Sequence, residues 1–130
     1  MWRRIRQWGD PRELREIGTT PDYRFSLANE RTYLAWLRTG LALMAGGLAA
    51  AQFLSAMPLP YLREAIAIAL LLLGTVVVIR AVDRWARTER AMRLGEDLPV
   101  SRFPAILSVV IGLGGLLLVA AVVIQAVHVR

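Results

Sequence analysis

A chain of 130 residues that is 56% hydrophobic, with a formal net charge of +6, suits either a small soluble core or a membrane protein. The absence of cysteine excludes disulfides and thiolate metal sites, and a single histidine, His128, cannot build a metal cluster or a Cys–His pair. All sixteen basic residues are arginine, so every cation is a permanently charged planar fork suited to phosphate or carboxylate.

The apolar residues gather in blocks at 39–62, 65–79 and 103–127. The first and third are long enough to cross the roughly 30 Å of a hydrocarbon layer. The second reaches that length when Arg80 snorkels and Ala81 and Val82 are included. The expected fold is therefore all-α and integral to a membrane, a probable oligomeric bundle with spans at about 36–57, 64–82 and 104–127. An amphipathic segment at 1–22 precedes this membrane domain of residues 23–130. Three helices and their loops use up the 130 residues, so neither a soluble catalytic domain nor enzyme activity is expected. The first long apolar run begins too late for a cleaved leader.

In chain order, Trp2, Ile5 and Trp8 recur at helical spacing among Arg3, Arg4 and Arg6. Two readings stay open there, an interfacial segment on anionic lipid and a basic tail. Asp10, Pro11 and Glu13 form a helix start, which Gly18 ends. Thr20-Pro21-Asp22 repeats the start signal, with Thr20 as the expected cap. From there one helix is expected to run unbroken until Pro58.

That helix carries the most informative pattern. Arg24, Arg31 and Arg38 recur every seven residues, so they share one helix face. Leu27, Leu34, Leu41 and Leu48 form a second row, and Ala28, Ala35, Ala42 and Ala49 a third. Ala42, Gly46 and Ala50 form a small-residue series to which Gly40 and Gly47 add, a surface for close helix packing either within one subunit or between subunits.

Past the Pro58–Pro60 turn, the second helix is expected to continue beyond the membrane as a basic stalk. Pairs are expected between Asp83 and Arg87 and between Glu89 and Arg93, and Gly95 is the expected stop. Ser101 or Ser108 is expected to help start the third helix, whose only amide is Gln125. The loop after the first span holds one cation and the loop after the second holds six, which predicts a cytoplasmic N-terminus and an outside C-terminus. The same rule accounts for most of the positive charge, so no nucleic-acid partner is expected. Anionic lipid of the bilayer is.

No catalytic constellation, cofactor or metal site is expected. What remains is electrostatic. A single copy of the Arg24/Arg31/Arg38 stripe faces headgroup phosphates, whereas several copies around an axis stack it into guanidinium rings, as in anion pores. Glu30 beside Arg31 is expected to hold that guanidinium or neutralise it.

The run ANERTYLAWLRTGLAL at 28–43, with Asp10-Pro11-Arg12, the basic second loop and the three-span layout, resembles a small bacterial inner-membrane family typified by YidH. That family is named for its unknown function. The motif also looks like the membrane domain of the eukaryotic vacuolar transporter chaperone complex. There, five three-helix units form a channel for polyphosphate, lined by basic residues of the first helix and after the second. The resemblance implies a homo-oligomer, a pentamer first, and pore or anion-binding roles for Arg24, Arg31 and Arg87, with Glu30 in the same motif. Arg38 belongs to the bacterial version of the motif. The expected function is an oligomeric conduit or binding vestibule for anions, phosphate or polyphosphate, in the bacterial inner membrane. The alternative is a non-transporting scaffold that binds anionic lipid or a partner protein.

Overall fold

The computed structural model describes Arg12, residues 15–53 and residues 61–128. The readings on Trp2, Ile5, Trp8, Asp10, Pro11, Glu13 and Pro58, and on the Gln125 side chain, lie outside what it describes. Among the described residues the long elements are all helices: α1 at Tyr23–Phe53, α2 at Leu62–Leu94 and α3 at Phe103–His128. Each contains a segment long and apolar enough to cross a membrane.

Helix ends follow local chemistry. Before α1, Gly18 takes φ 65, the left-handed region open to glycine. The cap of α1 is Asp22, not the expected Thr20. Its Oδ1 accepts from the Arg24 N–H at 3.0 Å, and its carbonyl from the Phe25 N–H at 3.0 Å. A carboxylate there also complements the positive end of the helix dipole, which a hydroxyl does not. Gly95 stops α2 with φ 65, donating its N–H to the Ala91 carbonyl, and the Glu96 N–H meets the same oxygen at 3.0 Å. Ser101, the first of the two serines expected at α3, accepts from the Phe103 N–H at 3.2 Å.

Hydroxyls within the apolar stretches are satisfied locally. Thr39, Thr75 and Ser108 donate to the carbonyls of Ala35, Leu71 and Pro104, one turn back. This return bond removes the need for a partner in lipid.

α1 and α2 form an antiparallel hairpin whose register can be read from close approaches. Gly40 lies against Gly74 and Val78, and Gly47 against Ala67 and Leu71. A Cβ on Gly74 would stand 2.6 Å from the Gly40 carbonyl oxygen and 2.7 Å from Met44 Cγ. In lipid there is no hydrophobic drive between helices, so close backbone approach supplies van der Waals contact. Gly40 and Gly47 thus carry the seam within the hairpin. Ala42 is exposed within the chain, and a Cβ on Gly46 would meet Leu70 at 4.0 Å, so these two small residues are not spent on α2. The reason is geometric: residues 40 and 47 share one helix line, whereas Ala42 lies about 200° round from Gly40.

At 31 and 33 residues, α1 and α2 are about 46 and 50 Å long, well beyond the roughly 30 Å of hydrocarbon. The surplus is at the end that joins the start of α1 to the finish of α2, where both helices are polar. α3 is described by itself. It is apolar throughout and has no acidic or basic residue before its last described turn.

Candidate anion-binding face and interhelix latch

The polar end of the hairpin is closed by contacts distant in sequence. Ser26 Oγ donates to the Glu89 carboxylate at 3.3 and 3.4 Å. Glu89 also accepts from Arg93 at 3.2 Å. Both charged side chains are nearly buried, with 9% and 11% of their surface exposed. The Asn29 amide donates to the Trp85 carbonyl at 3.2 Å, and the Tyr33 and Trp85 rings meet with centroids 6.3 Å apart. This polar ladder continues the line of Gly40 and Gly47, so one face of α1 is committed to α2 along its whole length.

The segment before α1 joins the same latch. The Thr19 N–H donates to the Arg93 carbonyl at 3.1 Å. Gly18 touches that carbonyl so closely that a Cβ would overlap it. Arg15, Thr20, Tyr23, Ser26 and Arg93 line an open groove of about 450 Å³ beside the contact. Gly18→Ala combines a disfavoured φ with this overlap, for about 2 kcal/mol of local destabilisation. Limited trypsin digestion should then cut after Arg15 at least tenfold faster than in wild type. An unchanged cleavage rate would mean that the Gly18–Thr19 contact holds nothing.

Arg24, Arg31 and Arg38 lie on the opposite side of α1, about 180° from the residues that meet α2, and all three are exposed. The Arg24 guanidinium sits over the Tyr23 ring at 5.9 Å. Arg31 and Arg38 form no ion pair or hydrogen bond among the described residues. Glu30, expected to hold or neutralise Arg31, makes no ion pair with it. Successive side chains diverge by about 100° on a helix, which points the carboxylate away from the stripe. Asn29, the other neighbour, is taken by α2.

Arg87 is not brought to this stripe. It is half exposed and paired with Asp83 at 2.7 Å, as expected for an i, i+4 pair. On α2 it stands about 160° from the face that meets α1. Within one hairpin, then, Arg31 and Arg87 point outward on opposite sides. The line of the stripe runs on to Ala45 and ends at Gln52, both exposed. Gln52 lies on the same seven-residue step as the arginines, but as an uncharged amide it adds nothing to their electrostatic pattern.

Residues 24–91 match a family described as "Domain of unknown function (DUF202)". The chain belongs to the DUF202 family. The match covers α1 and nearly all of α2, so it contains the Ser26–Glu89 and Asn29–Trp85 bonds, the glycine contacts and the arginine stripe, while Gly18, Thr19 and Arg93 lie just outside it. This DUF202 chain is 41% identical to the inner membrane protein YidH of Escherichia coli K12 over 113 residues, covering 87% of this chain and 93% of the relative. It is also 38% identical to an uncharacterized protein of Mycobacterium tuberculosis over 107 residues, covering 82% and 88%. No solved structure matches it. A multi-pass bacterial inner-membrane protein is what the three candidate spans and the Escherichia coli relative support.

Proposed function

We propose that this DUF202 protein is a homo-oligomeric membrane conduit or binding vestibule for phosphate-rich anions, lined by Arg24, Arg31 and Arg38. The observation that carries this reading is the exposed stripe: α1 spends one face on α2 and leaves permanent cations on the other, two of them with no hydrogen-bond or ion-pair partner among the described residues. Guanidinium forks with open donors suit phosphate oxygens. The resemblance to the polyphosphate-passing membrane domain supports the same direction. A lining that also includes Arg87 needs neighbouring copies, because one hairpin points Arg87 and Arg31 apart. The positive-inside rule puts the arginine-rich end, with the N-terminus, in the cytoplasm.

A non-transporting scaffold is the second reading. It draws on the Thr19–Arg93 contact, which joins the N-terminal segment and the end of α2 into one polar surface beside the groove.

The test is tripolyphosphate flux in proteoliposomes of the full chain, after native mass spectrometry has established subunit number. Arg31→Ala should lower flux roughly tenfold, the worth of one charge-assisted contact of about 1.5 kcal/mol, with subunit number unchanged. Equal flux in an intact oligomer would end the conduit reading. A monomer with no flux and a co-purifying protein would favour the scaffold.

A further inference from the structure

The hairpin register gives each arginine of the stripe a depth. Gly40 faces Gly74, and the helices run antiparallel, so Arg38 is level with Val76. Arg31 is by the same step level with Asp83. Val76 lies inside the uncharged run of α2 between Glu64 and Arg80. Arg38 therefore attaches to the helix about 6 Å deeper than Arg80, at hydrocarbon depth.

Among the described residues of α1 and α2, no carboxylate lies at this depth. On α2 the nearest acidic residues are Asp83, about 10 Å away along the axis, and Glu64, about 18 Å the other way. α1 has none beyond Glu30, and α3 has none at all. A second copy inserted the same way has its carboxylates at the same levels, so it brings none either. Arg38 is exposed on the face turned from α2 and makes no hydrogen bond or ion pair among the described residues. A guanidinium left unpaired in hydrocarbon is costly, and it cannot escape by losing its proton. Helical side chains lean toward the helix N-terminus, which here is the polar end, so Arg38 leans back toward any anion drawn in from that side.

We infer that Arg38 binds a phosphate group at hydrocarbon depth on the free face of α1. The choice of phosphate rests on the reading of this face as phosphate-handling. The group comes either from a lipid headgroup pulled inward or from a soluble phosphate moving along the stripe.

The test uses full-length protein with arginine labelled in carbon-13, reconstituted into two vesicle types. One is phosphatidylethanolamine with phosphatidylglycerol and no soluble phosphate. The other is phosphorus-free glycolipid, with and without inorganic tripolyphosphate. Solid-state NMR reads the dephasing of arginine Cζ by phosphorus, filtered for carbons near lipid-chain protons, which selects hydrocarbon depth. The expected result is a Cζ signal at about 4 Å from phosphorus, the distance of a guanidinium–phosphate fork. It should be lost in Arg38→Gln and in Arg38→Lys. The lysine variant keeps the charge, so the assignment survives if the glutamine variant fails to fold. A signal in phospholipid assigns the headgroup, and one that needs tripolyphosphate in glycolipid assigns the soluble anion. No such Arg38-dependent signal in either vesicle overturns the inference. If Arg31→Ala still lowers flux in that case, the conduit reading stands without it. An Arg38 signal in phospholipid with no flux supports the inference and removes the conduit.

Discussion

Replacing Glu89 with alanine should destabilise the hairpin by about 3 kcal/mol, the usual loss when one partner of a buried pair is removed. Glu89 is buried and accepts from both Ser26 and Arg93. Without it, Arg93 is left nearly buried with no counter-charge, and Ser26 loses its link to α2. The effect is not confined to one turn, because the Arg93 carbonyl also holds Thr19. Unfolding of the purified protein by SDS titration, followed by tryptophan fluorescence, reads the loss directly. The informative companion is the double variant Glu89→Met with Arg93→Met. Replacing both charges by apolar groups of similar length removes the burial penalty along with the attraction, so it should lie within about 1 kcal/mol of wild type. A single Glu89→Ala loss below about 0.5 kcal/mol, the range of exposed pairs, would mean that Arg93 escapes to water and that the latch is weak.

Gly74→Val should be worse still in its effect on assembly of the hairpin. The nearest atoms to a Cβ at that position are the Gly40 carbonyl oxygen at 2.6 Å and Met44 Cγ at 2.7 Å. Met44 can move, being flexible. The carbonyl belongs to a helix backbone and cannot, so α1 and α2 must separate along the buried line of Gly40, Gly47, Ala67 and Gly74. Overpacking costs about 1–3 kcal/mol even where surroundings can adjust; here they cannot, and loss of close backbone contact along the seam adds to it. The same SDS titration should show a loss of more than about 3 kcal/mol. Gly46→Ala is the control. Its nearest neighbour would be Leu70 at 4.0 Å, and alanine is the better helix former, so stability should hold or rise slightly. Equal behaviour of the two variants would contradict the register on which the depth of Arg38 rests.

Much of this architecture was legible from local signals. Three spans follow from apolar block length, since the hydrocarbon layer fixes how many residues a helix needs. The stop at Gly95 and the pairs Asp83–Arg87 and Glu89–Arg93 follow from rules that act within one or two turns. Sharing of one face by Arg24, Arg31 and Arg38 follows from helix periodicity alone. The local reading failed at the start of α1, where Asp22 and not Thr20 caps the helix, because its carboxylate reaches the Arg24 N–H and suits the helix dipole. Which of the small residues of α1 meet α2 was not readable locally; contact with the second helix picks Gly40 and Gly47.

The three spans and the faces of α1 were readable from the chain alone, because each is decided by hydrogen bonding and side-chain spacing along one continuous segment. The packing of α1 on α2 settles which face is spent on α2, that Ser26 reaches Glu89 across 63 positions, and that Arg38 lies level with Val76. Those depend on how one helix slides and turns against another. Nothing within a single helix specifies that; the close approach of Gly40 to Gly74 and Gly47 to Ala67 does, since only at those points can two backbones come together.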